Sequence, residues 1–137
     1  PFLSGEFIEM MMTTKIIGLI LVLVGALHIY PIIGVLSATR LHSLYGMEIT
    51  DSNLLILMRH RALLFGLLGA FLIYVAFTPQ LRWLAFLSGS ISLAGFIILV
   101  WLAEDYQLAI RRVLIADWIA LIGLLIAMVI HYFERRA

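Results

Sequence analysis

Four apolar runs alternate with short polar segments along this chain. The runs cover residues 16–36, 53–77, 83–103 and 113–133. A helix of about 20 apolar residues crosses the hydrocarbon of a bilayer, so each run is long enough to span. The pattern predicts an all-α polytopic membrane protein whose four transmembrane helices form an up-down-up-down bundle. The short connection at 78–82, with Thr78-Pro79-Gln80, makes spans two and three antiparallel neighbours. Pro31, near the far end of span one, lacks a backbone donor and predicts a kink in the last turns. Leu44-Tyr45-Gly46 reads as an interfacial turn. No internal repeat or low-complexity linker breaks the pattern, and residues 13–137 read as one domain. Residues 1–12 read as an expression remnant or flexible lead, with the natural start among Met10-Met11-Met12. Span one is too long for a cleavable signal peptide, and no A-x-A-like site follows it.

Composition agrees with the pattern. Of 137 residues, 64% are hydrophobic and 12% charged, against about 25% charged in average soluble domains. A net charge of +1 gives no basic footprint, so no nucleic-acid partner is expected. The chain has no cysteine, which excludes disulfides, thiolate nucleophiles and cysteine-ligated metal. Glycine-rich phosphate motifs, G-x-S-x-G and H-E-x-x-H are absent.

Charge placement sets an orientation. The side holding both termini and the 78–82 turn carries Lys15, Arg82, Arg135 and Arg136; the other carries Arg40, Arg59, Arg61, Arg111 and Arg112. The second side also carries Glu48, Asp51, Glu104, Asp105 and Asp117, so its arginines can be engaged in ion pairs. Lys and Arg left over mark the cytoplasmic side. The expectation is an integral protein of a bacterial inner membrane with cytoplasmic termini.

Small residues mark helix contacts in lipid, where backbones approach closely. Span two carries Ala62, Gly66 and Ala70 at four-residue steps with Gly69 beside them, and Arg59 shares that face. Arg61 falls opposite, above Phe65, Leu68 and Leu72, and reads as a headgroup anchor. In span one, His28 lies one turn beyond Gly25. Spans three and four show stripes through Ser88, Ser92 and Gly95, and through Ala116, Ala120 and Ala127.

Intramembrane ionisable residues are costly, at least ~2.5–3.5 kcal/mol each at mid-membrane, and they point to a site. The candidate is a polar pocket near one leaflet, with ligand-binding residues Arg59, His28, His60, Asp117 and Glu104. Asp117, Glu104 and His28 are the candidate catalytic groups, should the site shuttle protons. The bland reading of the same residues is a set of ion pairs fixing helix register. No metal site is expected. Haem between His28 and His60 is the cofactor alternative, although His60 sits about 100° from the small-residue face; otherwise no cofactor is expected.

The run Leu44-Tyr45-Gly46 through Arg59-His60-Arg61-Ala62-Leu63-Leu64-Phe65-Gly66-Leu67-Leu68-Gly69-Ala70, with Ile110-Arg111-Arg112-Val113 and Asp117, resembles a group of small uncharacterised bacterial four-helix membrane proteins. The resemblance covers nearly all of the chain after Met12. Some of that group carry the label phosphopantetheine adenylyltransferase, which implies a soluble α/β fold and a T/H-x-G-H motif that this chain lacks. The architecture is also similar to DoxX-like and EXPERA-like four-helix proteins, which implies lipid binding or isomerase chemistry. Three readings stay open at this point: a protein binding a lipid or other amphipathic molecule, a membrane enzyme moving protons on a lipid-soluble substrate, and an accessory or scaffold subunit. Membrane lipids, and a homo-oligomer or larger membrane complex, are the expected partners.

Overall fold

The computed structural model describes residues 2–35, 39, 42, 43, 46, 48 and 50–136. Arg40 and the Leu44-Tyr45 pair fall outside them. Four long helices account for most of the chain: α1 (Phe2–Ile29), α2 (Ser52–Ala76), α3 (Arg82–Leu102) and α4 (Leu108–Glu134). Among the described residues there is no strand. All four helices are long and apolar enough to cross a membrane, and their outward faces carry bulky aliphatic side chains such as Leu23, Leu67, Leu87 and Ile119, each about 60% exposed or more. The chain is an integral membrane protein.

Local chemistry sets where the helices begin and end. At Pro31 the missing N–H breaks the i→i−4 ladder, and the chain tightens into a 3-10 helix over Tyr30–Val35. Asp51 caps α2: its backbone is extended and its carboxylate accepts from the Leu54 N–H at 2.8 Å. At the other end of α2, Phe77 N–H turns back to the Tyr74 carbonyl at 3.1 Å. Pro79 then opens a single 3-10 turn, Pro79–Leu81, that runs straight into α3. The polar 103–107 connection joins α3 to α4. The observed α1 includes residues 2–12 as helix, and α4 begins at Leu108.

Each helix packs on its sequence neighbours, and α4 returns to α1. The α1–α2 pairing is the closest. A Cβ built on Gly25 would meet Ile73, one on Gly69 would meet Ile29, and one on Gly18 would lie 3.3 Å from the Ala76 carbonyl oxygen. Gly18 and Gly25 are one heptad apart, as are Gly69 and Ala76, so the antiparallel register repeats every two turns. Backbone rests on backbone here, as small residues in lipid permit.

A second stripe on each helix faces the bundle axis. It runs Ile17-Leu21-Val24-His28 on α1 and Arg61-Phe65-Leu68-Leu72-Val75 on α2. On α3 it runs through Arg82, Phe86, Gly89 and Leu93, and on α4 through Asp117, Ala120, Leu124, Ala127 and His131. The middle of these stripes is the apolar core, with Ile17, Leu21, Leu72, Phe86 and Leu124 wholly buried. Polar residues occupy the stripe ends: His28, Arg61 and Asp117 at one end of the bundle, Arg82 and His131 at the other.

Candidate functional site

At the end of the bundle where residues 103–107 join α3 to α4, the axis stripes part around a cavity of about 300 Å³. Leu27 and His28 of α1 line it, with Tyr30 and Pro31 from the 3-10 segment. Arg61 and Phe65 come from α2, and Ser92 and Phe96 from α3. The face of α4 formed by Ala109, Arg112, Val113, Ala116 and Asp117 completes the wall, and Ser43 contributes from the first connection. With a rise of 1.5 Å per residue, Arg112 lies roughly 6 Å and Asp117 roughly 14 Å past the start of α4. Arg112 therefore stands at the mouth and Asp117 deep in the wall.

Aromatic rings hold the polar groups in place. The Arg61 guanidinium carbon lies 5.0 Å from the Phe65 ring centroid and 5.7 Å from that of Phe96, within cation–π range of both. Phe65 also meets His28 edge-on, with centroids 5.9 Å apart. The His28 ring is 2.9 Å from the Val24 carbonyl through Nδ1 and 3.2 Å from Ser92 Oγ through Nε2. The positive charge of Arg61 acts on the Asp117 carboxyl. Among the described residues the lining holds two arginines, Arg61 and Arg112, and one aspartate, Asp117.

Gly46 lies beside the mouth. Gly46 has φ +68°, and a Cβ there would meet the Gln107 side chain at 2.9 Å and Ala109 at 3.4 Å. Both the left-handed backbone and the close approach to the start of α4 require glycine. Gly46 N–H closes the turn on the His42 carbonyl at 2.7 Å.

Of the residues singled out from sequence, His28 and Asp117 line this cavity and three do not. Arg59 sits half-buried off the cavity, with its Nε buried and unbonded among the described residues. His60 is exposed on α2 outside the lining, so it does not face His28 across the cavity as a bis-histidine haem site needs. Glu104 is exposed in the α3–α4 connection. Arg61, expected to anchor at the headgroups, is the cavity arginine instead. The small-residue stripe of α2 is filled by α1 and the 3-10 segment after it, with Ile29 lying against Gly69 and Ile32 against Gly66. A stripe that brings backbones together leaves no room for a pocket. On α2 the cavity lies on the neighbouring face, at Arg61 and Phe65, whereas on α3 and α4 the small-stripe residues Ser92 and Ala116 do line it. Among the described residues no group of three or more His, Asp or Glu could hold a metal ion.

Sequence reasoning missed a second polar cluster at the terminal end. Arg82, 2% exposed, lies 3.6 Å from Glu134 and donates to the Thr14 carbonyl at 3.3 Å. Thr13 Oγ1 bonds the same Glu134 carboxylate. His131 Nδ1 is 3.7 Å from Glu134, and its ring lies between Trp83 and Phe86 at centroid distances of 5.5 and 5.7 Å. These contacts tie α1, α3 and α4 together. The signal was present in the helical spacing: Arg82 precedes Phe86 and Gly89 on one stripe, and His131 follows Leu124 and Ala127 on another.

Compared with protein-family models, with curated proteins and with solved structures, the chain matches none.

Proposed function

We propose that the protein binds an amphipathic molecule with an anionic head in this cavity, with Arg61 and Arg112 holding the head. The observation that carries the reading is the composition of one wall system. Two arginines line a space whose apolar walls include Leu27, Phe65, Phe96, Val113 and Ala116. Arg112 stands exposed at the mouth and Arg61 lies further in beside the Phe65 and Phe96 rings, so an anionic head entering the cavity meets two positive charges in turn. The volume, about 300 Å³, is at the small end of ligand sites. It suits a head group and the first part of a chain, with the rest of the molecule in lipid.

Native mass spectrometry with extraction of copurified lipids tests this. The wild-type protein retains an anionic amphiphile. Arg61→Ala lowers its occupancy at least about tenfold, the loss of one charge-assisted contact of about 1.5 kcal/mol or more. Arg59→Ala and Glu104→Gln, off the cavity, retain it. Retention of the same ligand at full occupancy by folded Arg61→Ala would sink the proposal.

We also propose cytoplasmic termini, in a bacterial inner membrane. Lys15, Arg135 and Arg136 support that side, all exposed there. Arg82, engaged inside the bundle, no longer counts towards it.

A further inference from the structure

Ligand retention by two arginines leaves one polar pair in the cavity without a role. His28 and Ser92 meet across the α1–α3 space, and both line the cavity. The Val24 carbonyl can only accept, so His28 Nδ1 carries the hydrogen that spans the 2.9 Å between them. In the neutral ring Nε2 is then the acceptor, and Ser92 Oγ donates to it over 3.2 Å. That tautomer and that direction are what a general base needs to take a proton from a serine hydroxyl. The group that fixes the tautomer here is a main-chain carbonyl. Phe65, edge-on at 5.9 Å, limits tilting of the ring.

The serine is also placed unusually for a helix in lipid. Hydroxyls in such helices commonly bond the carbonyl one turn back. Ser88 does so, donating to Leu84 at 2.7 Å. Ser92, one turn further on, directs its hydroxyl across to His28 instead.

We propose that Ser92 is a nucleophile and His28 its base, and that the cavity cleaves the ester of a long-chain amphiphile by acyl transfer to water. This rests on the binding reading, because the same cavity must admit the ester. Ser92 Oγ attacks the ester carbonyl carbon while its proton passes to His28 Nε2. The carbonyl electron pair moves onto oxygen, and the resulting alkoxide forms in a cavity whose cationic donors are Arg61 and Arg112. Collapse of the tetrahedral species breaks the bond to the leaving alcohol, which takes the proton from Nε2, and Ser92 is left acylated. Water then attacks the acyl carbon, giving its proton to Nε2. Release of the carboxylic acid returns a proton to Ser92 Oγ. The ionised product is a long-chain carboxylate, the kind of anionic head the two arginines suit.

A serine–histidine bond between helices also serves packing, and reactivity separates that role from this one. The probe is an alkyl fluorophosphonate applied to the full chain in detergent, read by intact mass and peptide mapping. The expected result is one adduct, on Ser92. Ser92→Ala abolishes it, His28→Gln slows it about 10²-fold or more, and Ser88→Ala leaves it unchanged. A wild-type protein that retains its anionic amphiphile but forms no adduct on Ser92 overturns the acyl-transfer proposal and leaves the binding reading standing. An adduct whose rate is unaffected in folded His28→Gln also overturns it. If the wild type retains no amphiphile and forms no adduct, both readings fail.

Discussion

Replacing Gly69 with alanine forces a methyl group into the main chain of α1. The new carbon would lie 2.7 Å from Ile29 Cγ1 and 2.9 Å from Ile29 N, and closer still to the Gly25 carbonyl oxygen. Two of these three atoms are backbone and cannot swing aside, so the helices must separate along their closest contact. Overpacking typically costs about 1–3 kcal/mol, and hard atoms put this site at the upper end. Alanine's better helix propensity returns up to about 1 kcal/mol. The net loss is therefore about 2 kcal/mol, roughly a thirtyfold shift in the folding equilibrium. Two other glycines calibrate the scale. At Gly66 the obstacle is the tip of the Ile32 side chain at 2.6 Å, which can rotate away, and the loss should be smaller. At Gly95 nothing lies within 4 Å, and alanine should stabilise by about 0.5–1 kcal/mol. Unfolding in mixed micelles, followed by tryptophan fluorescence, gives the order Gly95→Ala, wild type, Gly66→Ala, Gly69→Ala from most to least stable. Gly69→Ala at or above wild type would refute the close-contact argument.

Two further outcomes are expected. Glu134→Ala strands the buried Arg82 without its acid and should cost about 3 kcal/mol, while Arg82→Met with Glu134→Ala recovers most of that; equal loss in the single and double variants would remove the ion pair as the cause. Because the chain has no cysteine, single cysteines report orientation directly: in intact cells Glu104→Cys should react with an impermeant maleimide and Arg136→Cys should not, and the reverse pattern inverts the topology.

The spans were legible because lipid imposes a length and a composition that few other folds share. Their contact face was partly legible too: Gly69 marks where α2 meets α1 and Gly66 where it meets the 3-10 segment that follows, whereas Ala70 of the same predicted stripe is exposed. What the small residues of α2 could not reveal is the cavity, since there they specify closest approach; Ser92 and Ala116, on the small-residue stripes of α3 and α4, do line it. The same confusion assigned Arg59 to the interior and Arg61 to the headgroups. Leu72 and Val75, fully buried on the stripe below Arg61, show that on α2 bulk and not smallness marked the bundle axis. Asp117 and His28 were found because a charge or an imidazole in an apolar run is conspicuous at any rotation. Arg82 and His131 were passed over because they lie near span ends, where charge is common and usually solvated. The partners of Arg82, which are Thr14 and Glu134, are more than fifty residues from it in sequence, and only His131 and Glu134 are joined by a local i,i+3 spacing.

The heptad register of glycines between α1 and α2 has a consequence for how the protein is made. Those contacts lie wholly within the first 76 residues of the chain, so the first hairpin can close while the ribosome is still translating the second. The α3–α4 hairpin then arrives as a separate unit. Neither hairpin carries the cavity alone, because His28 and Arg61 belong to the first, and Ser92, Arg112 and Asp117 to the second. Until docking, Arg61 and Asp117 wait in lipid without each other. Late assembly is thus the vulnerable stage of biogenesis, and substitutions that slow it will be seen as degradation of newly made chains before any change in the mature protein.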